Sequence, residues 1–163
     1  MKDENHQMNL CMKNIKSNLT EYIKIGNFIE AKKISFDVMD QKDFDDLVIE
    51  LGFETESIAL YTFICFILID KETACIHQLA AVLLAQGLSH VEGACSGALF
   101  HAYRAVLLDP YNVSYKEYLL LFNVIPEKLI GDTQAMIIAK EILAQDPTNM
   151  TALNIIDQID NNK

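Results

Sequence analysis

The sequence predicts an all-α fold of about nine helices joined by short links. Three observations predict it. Apolar residues recur at helical spacing along most of the chain, and no segment alternates apolar and polar residues between turn signals. Leu, Ile and Ala are the commonest residues, with only 6 Gly and 3 Pro. A phrase also occurs twice. Ala105-Val106-Leu107-Leu108-Asp109-Pro110-Tyr111-Asn112 returns as Ile142-Leu143-Ala144-Gln145-Asp146-Pro147-Thr148-Asn149, 37 residues later. At the same offset Ala98 and Ala102 return as Ala135 and Ala139, and Leu119 and Phe122 as Ile156 and Ile159. A fixed period of this size points to stacked helical hairpins.

The first helix spans about residues 7–25, with Met8, Cys11, Met12, Ile15, Leu19, Tyr22 and Ile23 forming one apolar stripe. Gly26-Asn27 ends it. Asn27 with Glu30 reads as a capping box for a second helix whose apolar face is Phe28, Ala31, Ile34 and Val38. Residues 37–56 then carry eight acids against the single Lys42. Phe44, Leu47, Val48 and Leu51 keep helical spacing among them, which predicts an acidic helix from about Asp43 to Leu51, stopped by Gly52.

The apolar run Ile58–Ile69 is predicted to be a core helix, since it has no partner strand of similar character. It falls well short of the roughly 20 residues needed to span a bilayer. After a turn at Asp70-Lys71-Glu72, a further helix covers about Ala74 to Gln86 and ends at Gly87. Ser89 and Glu92 form a second capping box, opening a long helix to Leu108 lined with small residues. Pro110 stops it. Ser114 and Glu117 form a third box, opening a helix from Tyr115 to about Val124. Pro126 and Gly131-Asp132 mark the next connection. Thr133–Gln145 and Thr148 to about Asp160 complete the series. Residues 1–163 form a single helical domain, with residues 1–10 and 161–163 expected to fray.

The duplicated phrase resembles the closing half of a tetratricopeptide repeat. Ala98, Ala105, Leu108-Asp109-Pro110 and Asn112 match that motif, as do Ala135, Asp146-Pro147 and Asn149 in the second copy. Tyr22, Gly26, Phe28 and Ala31 look like the middle of a degenerate third copy. The spacing exceeds the family's 34 residues, and the family's opening Trp and Leu-Gly pair are absent. The resemblance covers about residues 98–159. It implies antiparallel helical hairpins stacked in a right-handed superhelix with a concave binding face.

The formal net charge of −10 argues against nucleic acid and anionic membranes as direct partners, because both demand a Lys/Arg surplus. It fits a basic protein partner, and equally fits a charge that only maintains solubility. No signal peptide is evident at the N-terminus. The four cysteines, Cys11, Cys65, Cys75 and Cys95, form no CxxC pair and are expected to be free thiols in a reducing cytoplasm.

No residue cluster names a reaction. His77 near Cys75 and His101 near Cys95 lack the closely paired spacing of zinc ligands. Cys95 with His101 or His90 could form a thiol–base pair only through spatial contact, and Cys95 sits in a small-residue stripe suited to packing. Neighbouring carboxylates such as Asp45 and Asp46 diverge on a helix. No catalytic residue, cofactor or metal is therefore assigned, and the expectation is that the chain is not an enzyme.

The partner-binding candidates are Asp43, Asp45, Asp46, Glu50 and Glu54 as charge, with Phe44, Tyr111, Tyr115 and Tyr118 as aromatic anchors. For the tyrosines, packing between hairpins is the stronger reading. In size, charge and style the chain resembles bacterial immunity proteins that accompany secreted toxins. The resulting expectation is a cytoplasmic, non-catalytic inhibitor. It would cover the active site of a cognate basic toxin, a nuclease such as those of contact-dependent growth inhibition. The alternative is an adaptor or secretion chaperone that holds an extended peptide.

Overall fold

The computed structural model describes the backbone of residues 2–161 and the side chains of residues 13–161. Among these the chain is all-helical, without strands. Its helices are α1 (Lys2–Lys24), α2 (Phe28–Val38), α3 (Gln41–Thr55), α4 (Ile58–Asp70), α5 (Ala74–Val82), α6 (Ala94–Leu108), α7 (Val113–Val124), α8 (Asp132–Gln145) and α9 (Met150–Asn161). A single π-helical turn, Leu83–Gly87, continues α5, closed by the Leu88 N–H donating to the Leu83 carbonyl at 2.9 Å. The all-α class and the helix number agree with expectation. Fraying at residues 162–163, and the Met8, Cys11 and Met12 part of the first stripe, lie outside the described residues. Contacts divide the chain into two units: residues up to Glu72 with Val82–Ala94, and Thr73–Ala81 with Cys95 onward.

In the first unit, α1 ends where Gly26 adopts a left-handed φ of 74°. The Asn27 N–H reaches back to the Tyr22 carbonyl at 2.8 Å and the Gly26 N–H to Ile23 at 3.1 Å, the paired bonds of a Schellman ending. Asn27 also caps α2, its side-chain oxygen accepting from the Glu30 N–H. Only half of the expected capping box forms, because the Asn27 N–H is spent on α1. The face of α2 is rotated from the sequence reading: Ala31 and Ser35 are buried, whereas Val38 is exposed.

The core of this unit is aromatic. Phe63 of α4 stands 5.8 Å from the Phe28 ring and 6.4 Å from Phe44, and Phe44 packs 5.4 Å from Phe36. Leu19 and Ile23 of α1, Leu47, Val48 and Leu51 of α3, and Leu60, Ile64 and Ile67 of α4 complete it. Gly52 does not stop α3. It lies buried inside the helix, which runs on to Thr55 and ends where Glu56 turns left-handed at φ 48°. Gly52 allows close packing against the π turn.

In the second unit the repeated phrase builds the same turn twice. The Asp109 N–H donates to Ala105 at 3.0 Å and the Asp146 N–H to Ile142 at 2.8 Å, closing α6 and α8. The Asn112 N–H then donates to the Asp109 carbonyl and that of Asn149 to Asp146, at 3.2 and 3.1 Å. Each asparagine caps the following helix, Asn112 accepting from the Ser114 N–H and Asn149 from the Ala152 N–H. The alanines upstream, Ala98, Ala102, Ala105, Ala135 and Ala139, are all fully buried.

Two expected capping boxes do not form. Asn112, two residues ahead of Ser114, takes the cap of α7. Residues 88–93 turn rather than coil into helix, with Gly93 at φ 80°, so α6 begins at Ala94. The α7–α8 connection is tied down from inside by buried Asn123, whose amide donates to the Ile130 carbonyl at 2.9 Å and to Asp132 at 3.0 Å. These paired helices with a recurring turn are compatible with a helical-repeat fold.

Candidate functional site

The acidic surface is produced by the way α3 is anchored. Asp40 caps it, accepting from the Asp43 N–H at 2.9 Å. Phe44, Leu47, Val48 and Leu51 then follow at i, i+3, i+4 and i+7 and are buried. That registration turns Asp43, Asp46, Glu50 and Glu54 to solvent and leaves Asp45 half-buried. Phe44 is 1 % exposed, so it is a core ring and not a partner anchor. It belongs to the apolar stripe that orients the acids. The exposed ring at this corner is Phe36, 47 % accessible and packed at a tilt against Phe44.

Part of the charge is met within the molecule. The ammonium of Lys16 on α1 lies 2.6 Å from Glu54 and 2.9 Å from Glu50. Those two carboxylates hold it charged above the usual lysine range. Lys42 pairs with Asp46 at 2.5 Å, one turn on. The Gln41 amide donates to Asp45 at 2.6 Å, while burial pushes the Asp45 carboxyl above the usual range. Asp37, Asp43 and Glu56 make no ion pair among the described residues, although Asp43 also acts on the Lys42 ammonium. The open negative charge therefore lies at the end of α2 and at both ends of α3.

The tyrosines belong to the second unit and differ in role. Tyr111, in the first Asp-Pro-x-Asn turn, is 83 % exposed. Tyr115 and Tyr118 are half-buried on α7, and Tyr118 meets Phe122 edge-on at 5.9 Å. Burial pushes the Tyr118 hydroxyl up to about 12. Only Tyr111 offers a largely open ring.

One buried polar pair was not expected. His77 of α5 and His101 of α6 are 4 % and 3 % exposed, with their Nδ1 atoms 2.7 Å apart. Phe100 stands edge-on to both rings. Burial, reinforced by the neighbouring His77, lowers the pKa of His101 to about 4. A sequence signal existed: His101 falls within the Ala98, Ala102, Ala105 face. Its partner, 24 residues earlier on another helix, has no such signal. Cys65, Cys75 and Cys95 are free thiols. No cluster of three or more metal-capable side chains occurs among the described residues, and none of their helices is long and apolar enough to cross a membrane. No protein family, curated protein or solved structure matches this chain.

Proposed function

We propose that this chain is a non-catalytic binding protein that captures a cationic protein on the α2–α3 corner. The observation that carries the reading is the one-sided registration of α3, which buries an apolar stripe and leaves a row of carboxylates exposed beside Phe36. Such a surface raises the encounter rate with a basic partner and rejects acidic ones. An open aromatic ring next to it supplies the desolvated contact that charge alone does not.

The most concrete form of this function is an immunity protein. A toxin that cleaves nucleic acid needs a positive cleft for phosphate, and an acidic helical surface that fills the cleft blocks the substrate. Asp37 and Asp43 supply the open charge, Asp46 shares its charge with Lys42 and Asp45 is half-buried, and Phe36 replaces Phe44 as the anchor. Glu50 and Glu54 contribute less, because Lys16 already engages them.

The test is the association rate with the cognate basic partner. Reversing Asp37 and Asp43 to lysine should slow association at least about tenfold at low salt, with the difference shrinking as salt rises. An unchanged rate at low salt removes this surface. A peptide-holding adaptor would instead be insensitive to salt and sensitive to apolar substitutions.

A further inference from the structure

Beside the acidic corner, α2 and α4 leave a shallow groove of about 420 Å³. Ile29 and Phe36 line it and are 71 % and 47 % exposed, and the half-buried Phe66 lines its α4 side. Ile69, three residues beyond Phe66 on α4, is exposed as well. Open aliphatic and aromatic side chains grouped in this way mark an interaction surface.

The charge around the groove is uneven. The ammonium of Lys32, on its wall, is paired with Asp70 of α4. With that pair balanced, one exposed lysine, Lys33, stands against Asp37 at the groove and exposed Asp40 and Asp43 beyond it. The surroundings therefore favour a cationic occupant. The apolar row also has a definite length. Ile29 and Phe36 are seven residues apart, two turns of α2 or about 10 Å. A partner helix with apolar residues seven apart repeats that distance. Among the described residues there is no strand, so no sheet edge there takes an extended segment by strand pairing.

We infer that this groove seats a cationic amphipathic helix of the partner protein, its apolar row on Ile29, Phe36 and Phe66 and its lysines or arginines toward Asp37 and Asp43. The inference rests on the reading that the α2–α3 corner captures a cationic protein, and it specifies the element that makes the contact. A second copy of this chain would bring a net charge of −10 to a corner that is already acidic, which opposes self-association there.

The chain contains no Trp, so a peptide carrying one reports its own surroundings. The probe is a capped Leu/Lys peptide of about 15 residues, with Leu and one Trp at i, i+3, i+4 and i+7 spacing and Lys elsewhere. Titrated with the full chain, its Trp emission should shift to shorter wavelength and saturate. A Lys/Ser peptide of equal charge, carrying the same Trp, should bind at least about tenfold more weakly. Ile29→Ser should weaken the Leu/Lys peptide about tenfold. Lys33→Glu should tighten it about threefold, the scale of an exposed ion pair. Leu107→Ser, in the other unit, should change nothing. All three positions are exposed, so the variants should keep the parent's circular dichroism. Binding lost in an Asp37→Lys, Asp43→Lys variant but kept in Ile29→Ser overturns the groove and leaves the acidic corner standing. Equal binding of a Leu/Glu peptide overturns both. No saturable binding of the Leu/Lys peptide, or equal weakening by Leu107→Ser, overturns the groove. So does a chain that sediments as a dimer and becomes monomeric in Ile29→Ser, since a second copy would then occupy it.

Discussion

Gly52 and Gly87 meet backbone to backbone. A Cβ on Gly87 would lie 3.0 Å from both the Cα and the carbonyl carbon of Gly52. A Cβ on Gly52 would lie 2.5 Å from the Leu83 Cδ1 and 3.5 Å from the Gly87 Cα. The contact joins α3 to the π turn, and it explains why a glycine sits inside a helix that it does not end.

The two glycines should therefore respond differently to alanine. Gly87→Ala pushes against backbone and should cost about 1–3 kcal/mol of stability. Gly52→Ala pushes against the end of a leucine side chain and gains up to about 1 kcal/mol of helix propensity, so its net cost should be smaller. Urea midpoints of the two variants, at unchanged m-value, check the order.

Asn149 holds two elements at once. It caps α9, and its amide donates to Glu117 of α7 at 2.8 Å. Asn149→Ala should cost about 2 kcal/mol, the upper end of the capping range, because Glu117 also loses its partner. Asn112→Ala, at the equivalent turn, should cost only about 1 kcal/mol. Thermal melts of the two variants give the comparison.

The buried His101 makes stability sensitive to mild acid. Its folded pKa of about 4 lies below the ordinary 6.5, so the unfolded chain takes up the proton first. The contribution is whole above pH 6.5 and is lost as pH falls toward 4. Between pH 6.5 and 5 the loss should be roughly 2 kcal/mol. His101→Gln should flatten that part of the stability–pH curve, as measured by urea unfolding at each pH.

Lys16 restrains the acidic surface. Lys16→Gln frees Glu50 and Glu54, four residues apart on one face, and should cost less than about 1 kcal/mol because the pair is exposed. The same variant should associate faster with a cationic partner at low salt, by stopped-flow fluorescence.

Local signals carried the helices themselves. Apolar spacing placed α3 and α4, and the duplicated Asp-Pro-x-Asn phrase marked two turns that form the same bonds. Helix starts were less legible where two capping residues compete. Asn112 precedes Ser114 and caps α7, while Gly93 diverts the chain before Ser89 can cap anything. Gly52 carries the composition of a helix stop, and only its distant neighbour Gly87 reveals a contact. At the candidate surface the acids were visible as a run, and the stripe through Phe44 that aims them was equally visible. The partial neutralisation by Lys16, more than 30 residues away in the chain, was not. Nor was the exchange of Phe44 for Phe36 as the exposed ring, which depends on which side of α2 meets the core.

The central claim is that the open carboxylates at the end of α2 and the start of α3 grip a cationic protein. Affinity capture from the native cell, comparing the unaltered chain with an Asp37→Lys, Asp43→Lys variant of equal helicity, tests it most directly. One basic polypeptide should be enriched on the unaltered chain at low salt and lost from the variant. Retention of the same polypeptide by the charge-reversed chain, or enrichment of acidic proteins alone, would contradict the account.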